Sequence, residues 1–315
     1  MSPDAPALGA WDSAYHAPVL VDEVAGMLGN AKTILDCTLG GGGHTAALLA
    51  LGAHVTAIDR DPEAIEAARK RLATFEAAGR FRVILGNFAE ADRLLPHESQ
   101  KFDGILADLG ISSHQIDNES RGFSFREGAP LDMRMETSGE TAADLLNNAP
   151  EESLTHILRE FADEPRARRL AREIVRRRDR ESFATSDHLV NAIRAVLGPR
   201  SGPGDFARIF QAFRIAVNAE LDSLERALPT LRDMLNPNGV LAVISYHSGE
   251  DRIVKHAMRD WSRACVCPPE QLQCACGGVA QGSLVNRKAI TASAEEMARN
   301  PRARSAHLRA WRKKA

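Results

Sequence analysis

Residues 34–45 read ILDCTLGGGGHT, a short apolar run that enters four consecutive glycines. Few segments restrict a fold so strongly. A turn without Cβ atoms lets backbone come close to a ligand. With the helix expected from Ala46 to Leu51 it completes a strand–turn–helix unit, the way an open α/β sheet approaches a bound nucleotide. A second apolar strand, Val55-Thr-Ala-Ile-Asp59, ends in an acid. In such a sheet that acid sits where it can accept from ribose hydroxyls. The two strands together predict a nucleoside-cofactor site.

A dinucleotide fold would ask for G-x-G-x-x-G, with the helix N-terminus facing a pyrophosphate. Here the third residue after Gly42 is Thr45. S-adenosylmethionine (SAM) has no phosphate, so it needs backbone room and a ribose acceptor but no anion cradle. Asp59-Arg-Asp-Pro62, followed by a helix from Glu63 to Ala73, fits SAM better than NAD, with Asp59 on the ribose.

The α/β pattern continues through Phe81–Leu85 and Phe102–Asp108. Ligands of such sheets lie at the carboxyl ends of the strands. The loops after Asp36, Asp59, Leu85 and Ala107 should therefore gather Gly42, Gly43, His44, Asp59, Phe88 and Asp108 around one ligand. Phe88 is placed to lie against an adenine, and ordinary helix–sheet packing is its other reading. After Asp108 the alternation stops. Residues 115–205 carry helical periodicity at 142–146, 150–161, 164–178 and 186–197, and the glycine- and proline-rich loop 198–205 closes them. This predicts a methyltransferase-type sheet domain over 1–114 and 206–315, interrupted by an all-helical insertion. One long helix is expected over 205–235, then a strand from Val240 to Tyr246, and a last antiparallel pair from 288–292 and 306–311.

With 315 residues and 44% hydrophobic content the chain can bury a large core. No apolar run approaches the ~20 residues that span a bilayer, and the N-terminal residues lack a basic start and an apolar stretch. Cytoplasmic location and no membrane partner are the expectation. The net charge of −2 points neither toward nor away from nucleic acid. The local distribution says more, because residues 166–180 are dense in arginine around an apolar stripe of Leu170, Ala171, Ile174 and Val175. Such a helix can track RNA phosphates or present a solvated face. Cys265, Cys267, Cys274 and Cys276 form two C-x-C pairs. A structural zinc with four thiolates and unliganded surface thiols are the two readings, and Cys37 reads as a small buried hydrophobe.

Asp108-Leu-Gly-Ile-Ser-Ser113 stands where amino-group methyltransferases carry an acid or Asn. An exocyclic base amine is a poor nucleophile because its lone pair is delocalised into the ring. An oxygen acceptor held near it helps pyramidalise the nitrogen, and proximity supplies much of the rate. Asp108 is the candidate for that acceptor or for a SAM-positioning group. Beyond it, Arg121, Phe123, Phe125, Asp132 and Arg134 could contact phosphate and stack on bases or merely tighten a loop. Arg214 and Asn218, one helical turn apart, could share the site or form a buried polar pair. His247 reads as substrate contact or helix cap.

These residues sit in ordered, rare segments: His16-Ala-Pro-Val-Leu20, DCTLGGGGHT, Ala57-Ile-Asp-Arg-Asp-Pro62, Asp108–Ser113, Arg121-Gly-Phe-Ser-Phe125, Pro130-Leu-Asp-Met-Arg-Met135, Arg208–Asn218, Ser245-Tyr-His-Ser248 with Glu250–Lys255, and Asn300–Ser305. In these, nearly end to end, the chain resembles the RsmH (MraW) family, SAM-dependent methyltransferases of cytidine N4 in bacterial 16S ribosomal RNA. The resemblance implies a class I, Rossmann-like sheet and SAM contacts from Gly42, Gly43, His44, Asp59, Phe88, Asp108 and Gln115. It also implies a helical insertion that helps recognise 16S rRNA in the small ribosomal subunit. Three positions in two segments depart from the family pattern: His114 replaces a usual Pro, and Tyr246-His-Ser-Gly249 replaces Phe-His-Ser-Leu.

Overall fold

The structure, a computed structural model, describes residues 11, 18–95, 100–112, 115–116, 118–265, 267, 271, 273, 275–276 and 278–315. In chain order its first elements are α1 (Val21–Leu28), β1 (Thr33–Asp36), α2 (Gly43–Ala50), β2 (His54–Asp59), α3 (Pro62–Ala77), β3 (Phe81–Leu85), α4 (Ala91–Leu94) and β4 (Phe102–Asp108). The helices α5 (Ala142–Asn148), α6 (Glu151–Glu160), α7 (Ala167–Arg178), α8 (Ser186–Leu197), α9 (Pro203–Val217) and α10 (Glu220–Asp233) follow. Last come β5 (Leu235–Ser245), α11 (Ser248–Trp261), β6 (Gly282–Leu284), α12 (Ala294–Arg299) and β7 (His307–Lys313).

The strands form one sheet in the order β3-β2-β1-β4-β5-β7-β6. Strands β1 to β5 run parallel, and β7 lies antiparallel to both β5 and β6. The α/β sheet expected of a class I methyltransferase is therefore present. Its parallel strands read as continuous apolar runs because both faces are covered. Along β5, Val240, Ala242 and Ile244 pack with Leu28, Leu48 and Leu49. The alternate residues Leu241 and Val243 pack with Leu228, Met258 and Trp311 on the other face. Parallel pairing also sets the functional edge, since Asp36, Asp59 and Asp108 all end their strands on it.

The chain divides into two compact units, Met1–Gly110 with Asp222–Ala315, and Ile111–Leu221. The second, helical unit has its own core, in which Leu154, Leu170, Ile174, Leu189, Ile193 and Phe213 are buried. The sequence reading drew its far boundary near 205. The structure extends the unit to Leu221, because Phe206, Phe210 and Phe213 of α9 pack into this helical core.

Two local expectations differ from what the chain does. The single helix over 205–235 is broken between α9 and α10, where Ala219 has φ 46°, a left-handed conformation that no α-helix contains. The break is held by the buried Asn218 side chain, which donates to the Met133 carbonyl and accepts from Met135 N, both at 2.8 Å. The ladder partner of β7 is β6, while 288–292 contributes a single bridge from Ile290 to Leu308. The reason is Asn286, whose side chain donates to the Leu308 carbonyl at 3.0 Å and accepts from Ala310 N at 2.7 Å. It takes up the Ala310 N–H, which a longer strand would have used. No described helix is long and apolar enough to cross a membrane.

Candidate active site

The glycine turn connects β1 to α2 with Gly40 at φ 50° and Gly42 at φ 73°, conformations that glycine adopts without a Cβ penalty. A Cβ on Gly40 would point into open space, so the turn leaves room beside its backbone. Gly43 opens α2. The Gly40 N–H donates to one Asp59 carboxylate oxygen at 2.7 Å, and Asp61 N–H donates to the other at 2.9 Å. Each carboxylate oxygen has a second lone pair, so Asp59 is fixed in place and still able to accept from a ribose diol. Burial raises its pKa, and the two backbone donors oppose the rise. Room at Gly40 and a pinned acceptor at the end of β2 together fit a nucleoside cofactor without phosphate, whereas Gly42 and Gly43 are packed against Leu72 and Pro18.

Asp36 ends β1 and is almost fully buried. It accepts from Thr45 Oγ1 at 2.6 Å and from Thr38 N at 3.1 Å. Thr38 Oγ1 in turn accepts from Asp108 N at 2.6 Å, linking the ends of β1 and β4. The Asp108 carboxylate receives the Tyr246 hydroxyl on Oδ1 at 2.8 Å, and its Oδ2 lies 3.6 Å from His44 Nδ1. Burial pushes the Asp108 carboxyl up to about 7; the Tyr246 hydrogen bond works against that rise, and the Glu250 charge adds to it. Burial thus places the Asp108 carboxyl near neutrality, with no Lys or Arg bonded to it among the described residues.

His44 is also buried, and burial lowers its pKa despite the nearby Asp36 charge. Its Nε2 is 2.9 Å from the Val19 carbonyl. A carbonyl only accepts, so in the neutral ring the proton is assigned to Nε2. Nδ1 then faces Asp108 as a lone pair. One proton between the two sites satisfies both, which accords with the raised Asp108.

Phe88 opens a short 3-10 turn after β3, capped by the Asn87 side chain, and packs half-buried against the core beside Ile84 and Leu94. His247 is the N-cap of α11 and accepts from Glu250 N through Nδ1 at 3.4 Å. Its Nε2 is 3.3 Å from Glu250 Oε1, close enough for an ion pair. The angle makes no hydrogen bond, however, and this buried nitrogen has no hydrogen-bond partner among the described residues. Glu250 itself is committed to the backbone N–H groups of Tyr246 and His247.

The remaining candidates belong to the helical unit and are heavily bonded within it. Gln115 accepts from Ser112 N at 3.0 Å while its own N–H donates to Ser112 Oγ at 3.2 Å. Arg121 donates to the carbonyls of Arg134 and Met135 and lies over Phe123. Phe125 meets Phe206 and Phe210 edge-on. Arg134 grips Asp132 through two 2.8 Å bonds, and Arg214 grips Glu220 in the same way. In α7, Arg176 and Arg177 bind Glu173, and Arg178 donates to the carbonyls of Leu146 and Ala149. Ser113, His114 and Cys274 lie outside the described residues.

The sequence reading did not single out Asp36, Thr38, Gly40 or Glu250. The spacing of Asp36 and Thr38 to either side of Cys37 was a usable signal for the first two. Tyr246 was visible only as a departure from the family pattern.

Residues 13–314 match the model of the MraW methylase family. Among curated proteins, the chain is 62% identical over 299 residues to the ribosomal RNA small subunit methyltransferase H of Gemmatimonas aurantiaca, covering 95% of each. It is 45% identical to the enzyme of that name from Anaeromyxobacter sp. (strain K), over 95% of this chain and 97% of that one. For the Heliobacterium mobile enzyme the identity is 44%, over 95% and 99%.

Proposed function

The chain belongs to the MraW methylase family, and on that premise we propose that it methylates the exocyclic N4 amine of a cytidine in 16S ribosomal RNA, with SAM as donor. The observation that carries this reading is the 62% identity to a ribosomal RNA small subunit methyltransferase H across 95% of both chains. The sheet edge supplies compatible chemistry. The substrate form is the RNA within the small ribosomal subunit, which puts the activity in the bacterial cytoplasm.

When bound, SAM would supply a sulfonium methyl group for transfer to the amine nitrogen. Asp59 and the turn at Gly40, Gly42 and Gly43 hold the nucleoside end, with Phe88 beside the base. Asp108, ionised, accepts a hydrogen bond from the cytosine N4 and draws the nitrogen lone pair out of conjugation. As the new N–C bond forms, the surplus amine proton passes to the Asp108 carboxylate. His44 Nδ1, 3.6 Å away, is the next acceptor. A base must leave its stack to reach such a site. Arg168, Arg169 and Arg180 of the basic stretch are drawn to RNA phosphates.

The test is methyl transfer from labelled SAM to small subunits lacking the modification, followed by nucleoside analysis. N4-methylcytidine in the 16S RNA is the expected product. Tight SAM binding with no transfer to subunits, RNA or DNA would overturn the catalytic reading in favour of a SAM-binding assembly factor.

A further inference from the structure

The connection from Trp261 to Gln281 is anchored at both ends. At its base, Gln281 N donates to the Trp261 carbonyl at 2.9 Å, and Lys314 N donates to the Gln281 carbonyl at 2.8 Å. Trp261 and Trp311 meet edge-on with ring centroids 5.3 Å apart, and Ser262 Oγ accepts from Trp311 Nε1 at 3.1 Å. Between these anchors no described residue is buried, and Val279 is 65% exposed. Apolar burial therefore does not hold the described residues of this stretch in place.

Its cysteines do converge. The Sγ atoms of Cys265, Cys267 and Cys276 lie within 4.8 Å of one another. Cys265 Sγ and Cys276 Sγ are 3.8 Å apart. A disulfide would hold sulfurs about 2.05 Å apart. Thiolates on one zinc ion, at about 2.3 Å each and tetrahedral angles, stand about 3.8 Å from one another. A single thiol–thiol hydrogen bond spans the same separation but does not account for the third sulfur. We propose that Cys265, Cys267 and Cys276 bind a zinc ion that cross-links this loop beside the edge strand β6. The role is structural, since three thiolates donate enough charge to leave the metal little Lewis acidity for chemistry. Cys274 lies outside the described residues and enters only as a variant in the test. The inference is independent of the methyl-transfer reading, because metal content is measured without substrate.

Full-length protein, purified without chelator or a metal-binding tag, is analysed for zinc by mass spectrometry. About one equivalent per chain is expected for a structural thiolate site. Replacement by cobalt should give the intense thiolate-to-metal charge-transfer absorption of sulfur coordination. Cys265→Ser with Cys276→Ser should lose the metal while SAM binding and the far-ultraviolet spectrum stay as in the wild type. Cys274→Ser asks which group completes the tetrahedron: lost or weakened zinc names Cys274, and unchanged zinc names water or another donor, both with the three-thiolate site intact. Zinc below about a tenth of an equivalent, with all four thiols freely titratable in the native chain, would overturn the proposal. So would bound zinc that survives the double substitution.

Discussion

The three carboxylates that end strands at the sheet edge and the arginine-paired carboxylates of the helical unit live under opposite rules. At the sheet edge, Asp36, Asp59 and Asp108 are held by hydroxyls and backbone N–H groups, and burial raises all three pKa values. At Asp132 and Glu173 of the helical unit, guanidinium groups do the holding. Arg134 keeps Asp132 below the usual carboxylate range, and Arg176 with Arg177 brings Glu173 down to about 2. A carboxylate beside a fixed cation is ionised at every working pH and has nothing further to exchange. One held by neutral donors in a dry place can take up and release a proton near neutrality. The helical unit's charge maintains its architecture, whereas the sheet edge keeps charge available for reaction.

Asp108→Asn should have the largest effect. It keeps the size of the side chain and removes the proton acceptor, so kcat should fall by about 10²- to 10⁴-fold. SAM affinity should change by less than about tenfold, which assigns the loss to the transition state. Equilibrium SAM binding beside single-turnover transfer checks this; parallel losses in both would make Asp108 a cofactor anchor instead.

On the helical side, Arg214→Met leaves Glu220 with its charge in place while both groups are mostly buried, at 12% and 6% side-chain exposure. Removing one partner of such a pair costs about 3–5 kcal/mol of stability, measurable by urea unfolding. Arg134→Ala, whose pair is 26% and 29% exposed, should cost less than that, because solvent screens it. Equal costs would mean that burial does not govern these pairs.

Tyr246→Phe removes the hydrogen bond that lowers the Asp108 pKa. The Asp108 pKa should rise, moving the midpoint of the pH–rate profile upward by up to about one unit, with the high-pH plateau retained. An unmoved midpoint would dismiss the hydroxyl as a tuning group. The smallest effect belongs to Arg180→Ala. If Arg180 neutralises one RNA phosphate, the slope of log affinity against log salt falls by about 0.7–0.9.

Much of the sheet edge was legible in the sequence because it is written locally. Apolar runs bounded by turns fixed the strands, and the acids at 59 and 108 closed two of them. What was hidden is what joins distant segments. The Tyr246–Asp108 bond spans 138 positions, and the Asn218 bonds that break the α9–α10 helix span 83 and 85. Helical periodicity runs straight through that break, because Ala219 does not look like a breaker. The arginines at 121, 134 and 214 carried the same charge signal whether they faced RNA or a neighbouring carbonyl or carboxylate. Only the packed unit reveals the bonds they make.

The most direct test of the contrast is the pH dependence of single-turnover methyl transfer by the unmodified chain, from about pH 5.5 to about 8.5. With Asp108 titrating at about 7 and active when ionised, the rate should be low in acid, rise through neutrality and level off above it. A rate that is flat across this range, with folding and SAM binding intact, would contradict the assignment of Asp108 as the acceptor.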